Sequence, residues 1–309
     1  MSDTIRQTGE TEMIRRLTAA LPLGDSVRCG PGDDAAVVRA DGETDWLLTS
    51  DSVTVGIHVT ADAPPDRIGH KAVARTLSDV AAMGGEPRWA LLDLVTPPDA
   101  PVEWLEAIYR GASSTAQRYG LDLVGGDTSR AHALSLHLFV VGSLPRGTAV
   151  LRSGARPGQR LYVTGVLGGS GKGRHLTFEP RLDEGRWLRE GRWAAAMIDL
   201  SDGLSTDLHH LARQSGVGAV LDAAKIPLSP DAGGDLPLRR ALDEGEDYEL
   251  LFTVDPERAA EFDAAWRDHF SIPCTPIGLI TDDEGTLLLR DAAGCETPIE
   301  PDGYDPFME

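Results

Sequence analysis

Carboxylate side chains stand at many of the points where an apolar segment of this chain meets glycine or a turn. Asp199 and Asp202 lie within IDLSDG, and comparable acidic residues occur in GPGDDAAVV, TSDSV, TLSDVAAMGG, LVGGDTSR and EGEDYELLF. Aspartate favours turns and helix starts for backbone reasons alone, so one such cluster indicates little. Six of them, several beside apolar segments that are expected to be buried, indicate a common site.

Carboxylates that converge on one site need positive charge between them. Two of them about 4 Å apart repel by roughly 4 kcal/mol at an effective dielectric constant of 20. Mg²⁺ binds carboxylate and hydroxyl oxygens and recruits the phosphate groups of substrates. The pattern therefore predicts a magnesium site in which Asp199 ends a buried strand and Asp202 precedes a helix that begins near Ser205. Asp207, farther along, is predicted to be a solvated helix residue outside the site.

A glycine-rich segment, TGVLGGSGKGRH (164–175), does not match the known phosphate-binding motifs. Val166 stands where a Walker A loop needs glycine, and Gly173 stands where it needs serine or threonine. Two interpretations remain, a turn whose backbone N–H groups bind an anion and a flexible loop. The eight histidines show no HExxH pairing, and nothing in the sequence indicates a Ser-His-Asp triad.

The elements that must position these residues fall into two halves. Apolar periodicity and glycine or proline boundaries predict the order β-β-α-β-α-β-β over roughly the first 150 residues. The segment PRGTAVLRSGARPGQ then reads as a linker, and a second α/β pattern begins at RLYVTG. A chain of 309 residues exceeds what one hydrophobic core usually serves. We therefore predict two domains, residues 1–148 and residues 149–309.

The overall charge limits the classes of partner. The formal net charge is −20, so electrostatic binding to nucleic acid or to an anionic membrane is not expected. No apolar run reaches the length of about 18 residues that a membrane span needs. Cys29, Cys274 and Cys295 share no metal-binding spacing and are interpreted as reduced thiols of a cytoplasmic protein.

Eight segments, taken in order, closely resemble the thiamine-monophosphate kinase family. They are GPGDDAAVV, TSDSVTVGIHV, KAVARTLSDVAAMGG, LVGGDTSR, LRSGARPGQRLYVTG, IDLSDGLSTDL, EGEDYELLF and DGYDPF. The wider superfamily includes aminoimidazole ribonucleotide synthetase, selenophosphate synthetase and a hydrogenase maturation factor. The segments EGEDYEL and GYDPF favour the thiamine kinases over these relatives.

The resemblance implies a two-domain, aminoimidazole ribonucleotide synthetase-like α/β fold. In it the N-terminal domain would bind metal and ATP, and its sheet would form a barrel with that of a second copy in a homodimer. The C-terminal α/β domain would complete the ATP and substrate site. The implied reaction is phosphorylation of thiamine monophosphate to thiamine diphosphate, by direct in-line transfer from ATP with several Mg²⁺ ions.

The resemblance also assigns roles by position. The residues implied to bind metal, some through water, are Asp34, Thr49, Ser50, Asp51, Asp79, Asp127, Asp199 and Asp202. Those implied to be catalytic are Asp51, Asp79, Asp127 and Asp199. Those implied to contact ATP are Tyr109, Gly126, Asp127, Arg152 and Ser201. Those implied to hold thiamine monophosphate are His58, Glu246 and Tyr304.

Two departures from the family pattern bear on the site. Thr76 stands where the family usually has asparagine, close to Asp79. In LGGSGKGRHL, Gly169 replaces an acidic residue, and Lys172 adds a cation that we expect to contact a nucleotide phosphate. The altered segment also leaves room for a different phosphate acceptor. Two alternatives stay open at this point: another ATP-using enzyme of the superfamily, and a non-catalytic nucleotide- or metal-binding protein.

Overall fold

The computed structural model describes residues 5–305 and 307 and contains two seven-stranded sheets. Its helices are α1 (Ile5–Thr8), α2 (Glu10–Thr18), α3 (Pro65–Ala82), α4 (Val102–Arg118), α5 (Leu182–Glu190), α6 (Leu204–Ser215), α7 (Pro237–Asp243) and α8 (Ala259–His269). Its strands are β1 (Val27–Cys29), β2 (Ala36–Arg39), β3 (Thr44–Thr54), β4 (Glu86–Thr96), β5 (Asp122–Gly125), β6 (Thr128–Arg130), β7 (Ser135–Pro145), β8 (Arg160–Thr164), β9 (Met197–Asp199), β10 (Gly218–Asp222), β11 (Leu250–Val254), β12 (Cys274–Thr281), β13 (Leu287–Arg290) and β14 (Glu296–Pro298).

The first sheet has the strand order β1-β2-β3-β7-β4-β5, with β6 paired to β4. The long strands β3, β7 and β4 are antiparallel, whereas β4 pairs in parallel with β5 and β6. Parallel neighbours need a crossover, and α4 supplies it between β4 and β5. Helix α3 packs against this sheet, while Trp89, Leu91 and Phe139 remain exposed on the opposite face.

The second sheet has the order β14-β13-β10-β12-β8-β11-β9 and is antiparallel except for the pair β10 and β13. Side chains alternate between its two faces, as strand geometry requires. In β8, Leu161 and Val163 join a core that includes residues of α6, whereas Tyr162 joins the core that continues from the first sheet. The two halves of the chain are thus packed together through a shared core.

Helix α3 lies against both sheets and is buried along most of its length. Its contact with α4 is close because one glycine of each helix faces the backbone of the other helix. A Cβ atom at Gly69 would lie 2.0 Å from the carbonyl oxygen of Ile108, and one at Gly111 would lie 2.0 Å from that of Asp66. Polar residues of α3 are therefore held inside the protein, between the two halves.

The predicted two-domain α/β organisation is confirmed at the level of the two halves, while the boundary between residues 148 and 149 stays a prediction. The helices α1, α5 and α7 and the strands β1, β6, β13 and β14 lie outside the predicted elements. Within residues 5–305 and 307, no helix combines the length and the apolar character that crossing a membrane demands.

Candidate active site

Three carboxylates from distant parts of the chain meet at the C-terminal end of α3. Asp34 lies in the turn before β2, Asp79 in the last turn of α3, and Asp199 at the end of β9. Each offers one oxygen, and these oxygens all lie within 4.8 Å of one another. The structure thus brings together three of the residues predicted to share a site, whereas their role as metal ligands stays a prediction.

Neighbouring hydroxyls orient two of these carboxylates. Thr49 Oγ1 donates to Asp79 over 2.5 Å, and Ser78 Oγ donates to Asp199 over 2.6 Å. Burial raises the pKa of Asp79 and Asp199 well above the usual range, and the charges of the neighbouring carboxylates raise both further. Without a cation, the group therefore tends to retain protons.

Asp34 shows that the group fits a cation. Its Oδ1 accepts a hydrogen bond of 2.6 Å from Nη2 of Arg152, but its Oδ2 is buried and has no hydrogen-bond partner among the described residues. A buried carboxylate oxygen without a partner is rare. Three carboxylates with hydroxyls beside them form the oxygen-rich surroundings that a hard cation such as Mg²⁺ prefers.

Arg152 is fixed by a second acidic residue. Its backbone N–H lies 3.2 Å from Oδ2 of Asp33, and its guanidinium pairs with Asp34. The turn before β2 therefore holds this residue of the connecting segment from two sides. A guanidinium fixed in this way is a ready partner for phosphate oxygens.

Asp51 is paired with an arginine that the sequence analysis did not single out. Nη2 of Arg75, on α3, lies 3.1 Å from Oδ1 of Asp51, and Nη1 donates to the carbonyl of Ser52 over 2.9 Å. The neighbouring Ser50 is exposed. Asp51 is thus neutralised by a residue of the chain itself, while its negative charge helps to raise the pKa of Asp79.

The prediction that Asp207 is a solvated residue is wrong. Asp207 is buried, and its Oδ2 accepts hydrogen bonds of 3.1 Å from the backbone N–H groups of Asp202 and Gly203. It therefore shapes the turn that carries Asp202, whose pKa burial raises to about 6. Ser201, in the same turn, accepts a hydrogen bond at its carbonyl from the N–H of Glu246.

A second polar cluster surrounds the buried amine of Lys71, one of the residues of α3. Its Nζ donates to Oε1 of Glu246 over 2.5 Å and to the carbonyl of His58 over 2.6 Å. Nδ1 of His175 lies 2.7 Å from the same Nζ and 3.1 Å from Oε2 of Glu246. The structure therefore brings together two of the three residues predicted to hold the substrate, and adds Lys71 and His175 to them.

His58 is held in its neutral form. Burial lowers its pKa to about 4, and the positive charges of Arg75 and Lys71 act in the same direction. Its Nδ1 accepts a hydrogen bond of 3.0 Å from the N–H of Thr54, so the proton of the neutral ring resides on Nε2. His58 therefore has a donor to offer a ligand.

The segment that carries Glu246 has a strained backbone. Glu246 and Tyr248 have φ angles of 55° and 52°, in the left-handed region that residues other than glycine rarely adopt. Hydrogen bonds from their N–H groups to Ser201 and Leu200 hold this conformation, and the ring of Tyr248 stacks on Phe178. Strain of this kind is concentrated at functional sites in proteins.

Two glycines of the glycine-rich segment, Gly168 and Gly169, do not present free N–H groups to an anion, so that interpretation is wrong for these two residues. The N–H groups of Gly168 and Gly169 donate to the carboxylates of Asp247 and Glu244. Lys172, which we expect to contact a nucleotide phosphate, has its Nζ within 2.7 Å of the carbonyl oxygen of Asp231.

Tyr109, Gly126 and Asp127, predicted to contact ATP, line a separate cavity of about 630 Å³. Gly126 has a φ of 155°, and a Cβ atom there would lie 2.0 Å from the carbonyl oxygen of Leu92, so only glycine fits. The N–H of Asp127 donates to Asp93 over 2.7 Å. The backbone at this part of the cavity lining is therefore fixed by close packing and by a hydrogen bond.

None of the three grouped carboxylates is among the residues that line this cavity. Asp51 pairs with Leu138 of β7, which pairs with Leu92 of β4, beside Gly126. Adjacent strands are about 4.8 Å apart, so two strand spacings separate Asp51 from the cavity. Asp127 is exposed and is not one of the grouped carboxylates. Tyr304, which does not line this cavity, donates its N–H to the carbonyl of Asp202.

Comparison with known proteins identifies the family. Residues 32–144 match the model of the AIR synthase related protein, N-terminal domain, and residues 156–289 match that of its C-terminal domain. Thiamine-monophosphate kinase of Escherichia coli K12 is 38% identical, over 91% of this chain and 92% of that protein. The chain belongs to the thiamine-monophosphate kinase family.

Solved structures of the family agree with the fold. A structure described as AaThiL complexed with AMPPCP and TMP superposes with a TM-score of 0.85 at 31% identity, and the match covers 99% of both chains. Thiamine-monophosphate kinase from Stenotrophomonas maltophilia K279a superposes with a TM-score of 0.74 at 32% identity, and the match covers 92% of this chain and 96% of that one. The predicted family resemblance is confirmed.

For this kinase family member, sequence reasoning missed three charged or titratable residues near the site: Lys71, Arg75 and His175. A signal for the first two was present, because KAVARTLSDVAAMGG is so rich in small and apolar residues that the helix has little room for a solvated face. No comparable signal marks His175, which lies in a glycine-rich segment.

Proposed function

We propose that this protein phosphorylates thiamine monophosphate with ATP and forms thiamine diphosphate and ADP. The observation that carries the proposal is the group of Asp34, Asp79 and Asp199, of which Asp34 and Asp199 are buried, beside the guanidinium of Arg152 in a chain of the thiamine-monophosphate kinase family. One of its structural neighbours is described as a complex with AMPPCP, an ATP analogue, and TMP. A grouping of carboxylates and a fixed guanidinium suits the binding of nucleotide phosphates together with a hard cation.

Mg²⁺ is the cation that we propose for this group. Asp34, Asp79 and Asp199 would hold one ion. Thr49, Ser50, Asp51, Asp127 and Asp202 would supply oxygen ligands, some through water, to further Mg²⁺ ions around the bound phosphates. When bound, Mg²⁺ neutralises the charge of a triphosphate that a protein with a net charge of −20 would otherwise repel.

The reaction depends on positioning more than on acid–base chemistry. The phosphate of thiamine monophosphate already carries an ionised oxygen, so no side chain has to remove a proton from it. That oxygen forms a bond to the γ-phosphorus of ATP, and the bond from this phosphorus to the β–γ bridging oxygen breaks, with its electron pair leaving on ADP. Arg152, held by Asp33 and Asp34, contributes fixed positive charge beside the reacting phosphates.

The cluster around Lys71 is proposed to recognise the acceptor. The Nε2–H of neutral His58 is a donor for the phosphate or the ring of thiamine. The carboxylate of Glu246 would face the cationic part of the substrate, and Tyr304 would stack on one of its aromatic rings. Lys71 fixes His58 and Glu246 relative to each other, because its amine bonds to both.

The exposed face of the first sheet supports a homodimer. Trp89, Leu91 and Phe139 lie on this face with 38% to 43% of their surface exposed, and Val124 of β5 is 61% exposed. Apolar groups of this size concentrated on one sheet face are typical of a protein interface. In the proposed dimer this face would meet its copy to form the barrel, and Tyr109, Gly126 and Asp127 would bind ATP together with Arg152 and Ser201.

One assay tests the proposal. Purified protein is incubated with Mg²⁺, ATP and thiamine monophosphate, and ADP and thiamine diphosphate are measured by chromatography. Equal amounts of the two products are expected. ATP use with some other small molecule only would identify another enzyme of the superfamily, and nucleotide binding without turnover would identify a non-catalytic protein; either result overturns the proposal.

A further inference from the structure

Helix α3 and the segment from β3 to residue 58 are joined by three successive polar contacts. Asp79 accepts from Thr49 over 2.5 Å, Arg75 pairs with Asp51 over 3.1 Å, and Lys71 donates to the carbonyl of His58 over 2.6 Å. The helix residues are four apart, so they lie on one face, each about 6 Å along the axis from the next. Arg75 therefore makes the middle one of these three contacts.

The two outer contacts, made by Asp79 and Lys71, belong to different parts of the site. Asp79 is one of the three grouped carboxylates, at which the proposed function places the phosphates of ATP. Lys71 bonds to Glu246, in the cluster that is proposed to recognise thiamine. The guanidinium of Arg75 lies between these regions, and its side chain is only 16% exposed.

Arg75 retains unused hydrogen-bonding capacity in this position. A guanidinium has five N–H donors. Nη2 contacts Asp51 and Nη1 contacts the carbonyl of Ser52, but Nε is buried and has no hydrogen-bond partner in the part of the chain that the structure describes. A buried cation with spare donors and a planar fork matches the geometry of a phosphate group.

We propose that Arg75 binds the phosphate group of the acceptor and thereby selects a phosphorylated substrate over its unphosphorylated counterpart. The inference rests on the proposed function, because transfer from ATP requires the acceptor phosphate to lie between the grouped carboxylates and the residues that recognise thiamine. Arg75 transfers no proton in the reaction. It holds the attacking phosphate oxygens while the new P–O bond forms.

The test compares binding of thiamine monophosphate with binding of thiamine, measured by calorimetry on the full chain with Mg²⁺ and without ATP. Arg75→Gln removes the charge, and Arg75→Lys keeps the charge but not the fork. Arg118→Gln is the matched control, since Arg118 pairs with Glu179 at the surface. We expect Arg75→Gln to weaken binding of thiamine monophosphate about 10- to 100-fold while binding of thiamine is unchanged.

The lysine variant separates this role from a structural one. Arg75→Lys keeps a cation beside Asp51, so it preserves the fold, and we expect it to lose about tenfold in affinity for thiamine monophosphate. In turnover, both Arg75 variants should raise KM for thiamine monophosphate and leave KM for ATP unchanged, and Arg118→Gln should change neither.

Equal losses of affinity for thiamine and for thiamine monophosphate would show that Arg75 only positions Asp51, and would overturn the inference. An unchanged preference for the phosphorylated ligand in the folded lysine variant would overturn it as well. Absence of turnover in the unmodified protein would instead refute the proposed function, and the comparison of the two ligands would still decide whether Arg75 binds phosphate.

Discussion

Substitution of Asp199 by asparagine is expected to stabilise the metal-free protein while it abolishes activity. The change removes one charge from three carboxylates whose oxygens lie within 4.8 Å of one another. The introduced amide retains an oxygen that can accept from Ser78, and it adds N–H donors next to Asp34, whose Oδ2 has no partner among the described residues. Asp199→Asn therefore relieves repulsion without leaving a new unsatisfied group.

The size of the expected gain in stability follows from the distance between the carboxylate oxygens. Two unit charges 4.8 Å apart repel by about 3.5 kcal/mol at an effective dielectric constant of 20. Part of this repulsion is already relieved, because burial raises the pKa of Asp199 and the residue holds a proton over part of the neutral range. We expect a net gain of about 1 to 3 kcal/mol in the free energy of unfolding at pH 8, and a rise of at least about 2 °C in Tm.

Thermal unfolding with EDTA and with Mg²⁺ is the assay. The unmodified protein should gain stability from Mg²⁺, whereas Asp199→Asn should gain little and should lose at least about 100-fold in kcat. The control is Asp45→Asn, because Asp45 is equally buried but accepts from the N–H of Gly147, near the opposite end of β3. A metal-free Asp199→Asn protein that is less stable than the unmodified protein, or that keeps the full Mg²⁺ response, would refute the reasoning.

Further predictions address other parts of the molecule. Gly126→Ala places a Cβ atom 2.0 Å from the carbonyl oxygen of Leu92, so KM for ATP should rise at least about tenfold, and an unchanged KM would contradict the assignment of that cavity. Trp89→Glu puts a charge on the exposed sheet face and should give a monomer in sedimentation experiments; a persistent dimer would move the interface elsewhere. Asp207→Ala removes the acceptor for two backbone N–H groups and should lower the free energy of unfolding by about 2 to 4 kcal/mol in denaturant titrations. In EDTA, stability should fall as the pH rises from about 5 to 8, because the raised pKa of Asp199 makes the folded protein bind more protons than the unfolded chain; Mg²⁺ should flatten this slope, and a rise in stability with pH would contradict the shift.

The convergence of the carboxylates could be predicted because each one stands at the end of an apolar segment. Asp79 and Asp199 illustrate this, since strand and helix ends gather at the edges of layers and the sequence marks those ends with small residues. The position of Asp127 could not be predicted in the same way. It has the same local pattern, but the strand order places β7 and β4 between it and Asp51, and strand order depends on tertiary pairing.

Buried charged residues were the other feature that could not be predicted from the sequence. Asp207 lies near the start of an amphipathic helix, where an acidic residue is ordinarily solvated, and only the fold of the preceding turn over its carboxylate makes it a buried acceptor. Lys71 and Arg75 were passed over for a similar reason, since a charged residue on a helix usually marks the solvent side. Their partners, Glu246 and Asp51, are remote or not in a helix, so no local spacing rule links them.

The glycine contact between α3 and α4 has a mechanical consequence. With backbones touching at Gly69 and Gly111, neither helix can slide or tilt without the other, so Tyr109 on α4 and Asp79 on α3 belong to one rigid body. A motion that encloses bound substrates must therefore hinge outside this pair.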